Sequence, residues 1–249
     1  MTEDNVEGRL IREKDFHNER FGAEVARRED EFYFALATGS EDFYQRLAAA
    51  AVGVDVLEYG CASGGHSMRL APKARSIVGI DISDVAVDQA RDAAARSCMA
   101  NASFLVDNAE AMSFPDSSFD LVFGSGILHH LDLPNAVAEI RRVLRPGGRA
   151  IFWEPLGHNA AINLYRRMTP NARTADEHPL LRSDIALLGQ SFPSCKVTHY
   201  GLTTLASIPF RRSGVGKALR TVGGQVDRLL LSLPGVRWQA WYALIDLRD

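Results

Sequence analysis

Three groups of residues in this 249-residue sequence have the type and placement to do chemistry. The first is a glycine loop, Gly60-Cys61-Ala62-Ser63-Gly64-Gly65, lying between a short apolar run and a helical one. Glycines there let the backbone turn sharply and approach a ligand, while a helix N-terminus points amide donors at it. The second is Asp81, which closes the next apolar run, where a carboxylate can accept both hydroxyls of a ribose. Gly60, Ala62 and Gly65 also approximate the dinucleotide fingerprint with alanine as its middle member, and Asp81 falls where that fingerprint asks for an acid. Local spacing leaves both nucleoside ligands open. The third group is the pair His129-His130, then Glu154, then a polar stretch carrying His158, Asn159, Tyr165, Arg166, Arg167, Glu177 and His178. A histidine or carboxylate here can take a proton from a nucleophile; His129 and Glu154 are the leading candidates and His178 the reserve. The plainer account of each is a helix-entry pair or a solvated loop residue. No HxxxH or HxH spacing supports a metal, so none is expected.

These groups need a scaffold, and the chain alternates in a way that supplies one. VDVLEYG, SIVGID, ASFLVD, FDLVFGS and RAIFWEP read as strands, with helical runs after the first, second and fourth; Ser83 is placed to cap the second of these helices. Such alternation implies right-handed crossovers and a parallel sheet covered on both faces, with ligands at the carboxyl ends of its strands. KVTHYGLTTLAS predicts a sixth strand, a helix follows over about 215–233, and WQAWYALIDL predicts a final edge strand. Residues 1–50 read as N-terminal helices and 51–249 as the main domain, with an insertion over about 156–193 that forms a cap.

Between Val54 and Pro155 the segments VLEYGCASGG, VGIDIS, NAEAMSFPDSSFDLVFGSGILHHL and RRVLRPGGRAIFWEP stand in an order that resembles the class I S-adenosylmethionine-dependent methyltransferases, in particular the methyltransferase type 11 group. The resemblance implies a Rossmann-like fold with a mostly parallel seven-stranded sheet, and S-adenosylmethionine as cofactor. It places Glu58 near the methionyl ammonium, Gly60, Ala62 and Gly64 under the cofactor, and Asp81 and Ile82 at the ribose. Asn108 and Ala109 fall at the adenine, with Asp107 an alternative to Asn108, and Ser125-Gly126 beside the methionine chain. Phe16, Tyr33 and Tyr44 resemble the helices that close over the cofactor. Ala62 departs from the family's usual glycine.

Composition bounds the rest. Hydrophobic residues at 46% and charged residues at 24% describe an ordinary globular chain. A net charge of -3 gives no broad cationic field for a nucleic-acid backbone. Three scattered cysteines form no disulfide framework, and no run is long and apolar enough for a signal peptide or a membrane span. These features predict a cytoplasmic enzyme without nucleic-acid or membrane partners that methylates a small molecule, with oxygen as acceptor atom and secondary metabolism as setting. The alternatives are a nicotinamide-dependent oxidoreductase, disfavoured because no Tyr-x-x-x-Lys pair is present, and a non-catalytic S-adenosylmethionine-binding domain.

Overall fold

The computed structural model describes residues 3–22, 33–169, 174 and 177–249, with backbone alone for 3–7. Its centre is one seven-stranded sheet in the order β3-β2-β1-β4-β5-β7-β6. The strands are β1 Asp55–Tyr59, β2 Ser76–Asp81, β3 Ala102–Val106, β4 Phe119–Ser125, β5 Leu144–Pro155, β6 Ser194–Tyr200 and β7 Tyr242–Arg248. The first five run parallel, while β7 is antiparallel to both β5 and β6. The strand order reverses at the β1/β4 junction, the place where open α/β sheets open a crevice for ligands.

Alternation along the strands divides the core into two layers. Leu57, Tyr59, Val122 and Phe152 face one side, where they meet Val137 and Ile140 of α5 (Leu133–Val143) and Leu188 of α7 (Arg182–Ser191). Val56, Leu121, Phe123 and Ile151 face the other, against Phe43 and Leu47 of α2 (Ala37–Ala50) and Leu70 of α3 (Gly65–Leu70). Helix α4 (Asp84–Arg96) starts as its sequence requires, with the Ser83 hydroxyl accepting from the Ala86 amide, and packs Val87 and Ala90 on Phe104.

The structure differs from the sequence expectation at three places. β7 is not an edge strand: it lies between β5 and β6, buried from Tyr242 to Leu247, and the less buried β6 takes the edge. The second half of KVTHYGLTTLAS leaves the sheet at Gly201 (φ +81°) and becomes a 3-10 segment, Thr203–Phe210. β5 begins at Leu144, ahead of the RAIFWEP run, with Pro146-Gly147-Gly148 inside it and a register shift against β4 between Phe119 and Leu121. Within the 156–193 segment, α6 (Ala160–Met168) lies at the ligand edge of the sheet, whereas α7 covers a sheet face against α5. Residues 170–173 and 175–176 of that segment, and 23–32 of the N-terminal region, lie outside the described residues. No described helix is long and apolar enough to cross a membrane.

Candidate active site

Two adjoining cavities open at the carboxyl ends of the parallel strands. The narrower, about 120 Å³, follows the loops after β1, β2 and β3. The wider, about 490 Å³, lies over the ends of β4 and β5. Ser125, Gly126, His130 and Arg20 line both, so the turn after β4 is their common wall.

The narrow cavity is shaped by backbone geometry. Gly60 (φ +74°) ends β1, and a side chain there would come within 2.8 Å of Ile127. Ala62 stands at φ +47°, a left-handed conformation that costs an L-residue about 1–2 kcal/mol and that the absent glycine would have relieved. One oxygen of Asp81 accepts from the Ala62 amide at 2.8 Å and the other from the Ser83 amide at 2.9 Å. Each oxygen keeps a lone pair, and the carboxylate faces the cavity. A carboxylate anchored in this way, with acceptor capacity to spare, offers what the two hydroxyls of a diol need. Ile82, Asp107, Asn108 and Ala109 complete this side. The loop's own hydrogen bonds engage both candidate adenine acceptors: Asp107 takes the Asn108 and Ser113 amides, and Asn108 takes the Glu110 amide.

Two of the predicted cofactor residues lie off the cavity lining. Glu58 is buried beneath the loop, where one oxygen accepts from both the amide and the hydroxyl of Ser67. Burial pushes this carboxyl up to about 8 despite those bonds, and the charge of Asp81 adds to the effect. Glu58 thus ties β1 to α3. Gly64 (φ +79°) packs against Phe104, where any side chain would collide at 2.9 Å.

In the wider cavity the sequence candidates separate into distinct positions. His129 lines the wall. Glu154 is fully buried and does not face the cavity; one oxygen accepts from the Ile127 and Leu128 amides at 2.9 Å each, and the other meets His129 Nδ1 at 2.8 Å. These bonds assign the proton to Nδ1 and leave the Nε2 lone pair outward, 3.9 Å from a Glu177 oxygen. Burial holds the His129 pKa below the ordinary imidazole value, with Glu154 opposing. His178 is exposed and off the lining; its amide donates to the His129 carbonyl, and the neighbouring Glu177 reaches the cavity instead. Of the other polar residues, Tyr165 and Arg166 line the cavity, while Asn159 caps α6 and His158 accepts from the Arg182 amide. Tyr33, Trp153, Trp241 and Tyr242 form an aromatic wall, with Tyr33 stacked on Trp241 and Trp153 on Tyr242. Tyr44 instead lies beneath the Arg69 guanidinium, and Phe16 packs edge-on to His17.

Helix α1 (Glu3–Gly22) roofs the narrow cavity. Arg9 donates to both oxygens of Glu110 (2.7 and 2.5 Å) and to the His130 carbonyl. Glu13 lies 3.2 Å from His130 and 3.5 Å from His17. Glu13, His17 and His130, like His129, His130 and Glu177, bring ligand-type atoms within 4.8 Å of one another, contacts that a search for local histidine spacing passes over because they join distant segments. The recurrence of Arg9, Glu13 and His17 every fourth residue was the available signal. His66, which lines the wider cavity just past the glycine loop, carried none.

Comparison with known proteins agrees with this geometry. Residues 56–148 match the family model of a methyltransferase domain. A probable S-adenosylmethionine-dependent methyltransferase of Mycolicibacterium smegmatis is 38% identical over 109 residues, 43% of this chain and 40% of that protein. The sterol 24-C-methyltransferase of Aspergillus fumigatus is 32% identical over 194 residues, 72% of this chain and 48% of that protein. The chain thus spans about half the length, or less, of these curated relatives. Among solved structures, geranyl diphosphate C-methyltransferase from Streptomyces coelicolor superposes with a TM-score of 0.63 at 14% identity, covering 90% of this chain and 85% of that one, a likeness of fold. Motif order, sheet topology and sequence relatives agree: the chain belongs to the class I S-adenosylmethionine-dependent methyltransferases.

Proposed function

We propose that this protein binds S-adenosylmethionine in the narrow cavity and methylates a hydroxyl of a small, largely apolar acceptor in the wider one, an O-methylation of the kind found in secondary metabolism. Residues 1–50 serve as helical lid and 51–249 as methyltransferase domain, the cap being the part of the 156–193 segment at the ligand edge. The observation that carries the reading is the buried Glu154–His129 pair beside the turn shared by both cavities. Aromatic walls favour an apolar acceptor body, as in the structural relative that holds geranyl diphosphate.

Bound S-adenosylmethionine supplies an electrophilic methyl on a sulfonium, open to in-line displacement. Asp81 would hold its ribose, with Gly60, Ala62, Ile82, Asn108 and Ala109 bounding the nucleoside and Ser125-Gly126 the methionine chain. With the cofactor bound, the acceptor oxygen would receive its methyl, and His129 Nε2 would take the proton that the hydroxyl must lose. Glu154 positions His129 and does not itself touch the acceptor. Two cavities sharing one wall bring both reactants to contact, the larger part of what this displacement needs.

The test is thermal. At 100 times its Kd, S-adenosylmethionine should stabilise the protein by about 2.7 kcal/mol, roughly 5–10 °C for a domain of this size. Asp81→Ala should weaken binding by roughly 10²-fold or more, since it removes two charge-assisted bonds. Stabilisation by NAD and not by S-adenosylmethionine would refute the proposal.

A further inference from the structure

Helix α8 (Gly214–Leu230) is turned the wrong way for a helix of a soluble protein. Such a helix buries its apolar stripe and exposes its polar side. Here Gly216, Gly223 and Asp227 face the protein. Gly216 and Gly223 lie so close to the backbone of the Thr203–Phe210 segment that side chains there would collide with the Phe210 carbonyl or crowd Thr204. The Asp227 carboxylate accepts from the Leu202 and Thr203 amides, which fixes the helix in this rotation. Val215, Leu219, Val222, Val226 and Leu229 are consequently exposed, by 58, 37, 59, 38 and 74%. Their spacing of four, three, four and three residues confines them to an arc of about 80° along roughly 21 Å of helix. Phe210 and Leu233, each half exposed, lie just before and just after the helix.

Charge distinguishes between the partners that could cover this stripe. Residues 210–233 contain five basic residues, Arg211, Arg212, Lys217, Arg220 and Arg228, and a single acid, the buried Asp227, in a chain of net charge -3. A second copy packing stripe to stripe around a two-fold axis would bring these cations against their own counterparts. An anionic surface would be attracted, and a basic amphipathic helix with one apolar face is the form that lies in the headgroup region of a bilayer. We propose that α8 is a peripheral membrane-binding helix that seats its apolar stripe in an anionic phospholipid surface, against the expectation from overall charge that the protein has no membrane partner. The surface is independent of both cavities, so the proposal stands or falls apart from the methyl-transfer reading.

Co-sedimentation of the full chain with vesicles tests it. Binding is expected to vesicles of phosphatidylcholine and phosphatidylglycerol in equal proportion, to be much weaker with phosphatidylcholine alone, and to fall with added salt. Val222→Glu with Leu229→Glu should abolish it; these side chains are 59 and 74% exposed, so the circular dichroism and melting temperature of the variant should match those of the wild type. Lys217→Gln with Arg228→Gln should weaken it several-fold, up to about fivefold per charge removed. Three results would overturn the proposal: no sedimentation with either vesicle, sedimentation unaffected by the stripe substitutions, or a dimer by light scattering that Val222→Glu dissolves in a protein that ignores vesicles.

Discussion

Glu154→Gln separates proton removal from every other property of the site. In the wild type one Glu154 oxygen accepts two backbone amides and the other faces His129 Nδ1. Glutamine has nearly the same shape but only one accepting atom. If its amide group turned toward Ile127 and Leu128, two donors would meet a donor, so its oxygen must take that side and its NH₂ must face Nδ1. Nδ1 then has to accept, the ring proton moves to Nε2, and the lone pair facing the cavity is lost. The expected cost is that of removing a general base, roughly 10²- to 10⁴-fold in turnover, or about 2.7–5.4 kcal/mol at 1.36 kcal/mol per decade. Affinity for S-adenosylmethionine should not change, because Glu154 lies off the narrow cavity. Long-range proton–nitrogen spectra of histidine-labelled protein report the tautomer directly, and single-turnover formation of S-adenosylhomocysteine reports the rate. Burial keeps His129 below the ordinary imidazole pKa, so wild-type kcat/KM should fall only in acid below about pH 6.5, as protonation removes the base. Wild-type protein with its proton on Nε2, or a glutamine variant that transfers methyl at the wild-type rate, would refute this account.

Arg9→Met leaves the buried Glu110 carboxylate without its counter-ion, a loss of about 3–5 kcal/mol that stops growing once α1 undocks; faster hydrogen exchange confined to 8–22 is the expected signature, and uniform exchange across the domain would contradict it. Glu58 takes up a proton on folding, since its folded pKa of about 8 exceeds its unfolded value of about 4.5. The Glu58 contribution to stability is therefore fully present below that unfolded value and is lost by up to about 1.4 kcal/mol per pH unit toward pH 8, and denaturant titrations across this range should show Glu58→Gln flattening the slope. Ala62→Gly should preserve or raise the melting temperature, whereas Ala62→Val, a β-branched residue at φ +47°, should cost about 1–3 kcal/mol; equal stability of the two variants would show that the loop relaxes.

The sheet was legible because its strands are bounded by strong local signals. SIVGID and FDLVFGS correspond residue for residue to β2 and β4, since each is an apolar run stopped by a polar turn. The position of β7 was not, because strand order depends on which faces are covered, and an alternating run such as WQAWYALIDL fits an edge as well as an interior place. In the site, Gly60, Asp81 and Gly126 follow from where strands end. Glu58 and Glu154 occupy equivalent strand ends yet turn beneath the loops, Glu58 onto the amide and hydroxyl of Ser67 and Glu154 onto the Ile127 and Leu128 amides. Glu177 and His178 differ by one position, and only the backbone path decided which of them reaches the cavity. Arg9, Glu13 and His17 read as a solvated helix face until their partners arrive from residues 110 and 130.

The roof over the narrow cavity bears on the timing of catalysis. Leu10, Glu13, His17 and Phe21 of α1 close over the space that Asp81 faces, and Arg9 latches the helix to Glu110. On the proposed reading a nucleoside held there would lie beneath this helix. Each cycle would then end with a spent cofactor to be exchanged, and release past α1 would strain the Arg9–Glu110 ion pair. A latch strong enough to keep water from the sulfonium is also a brake on exchange, and weakening it at Arg9 would trade a leakier chamber for quicker release.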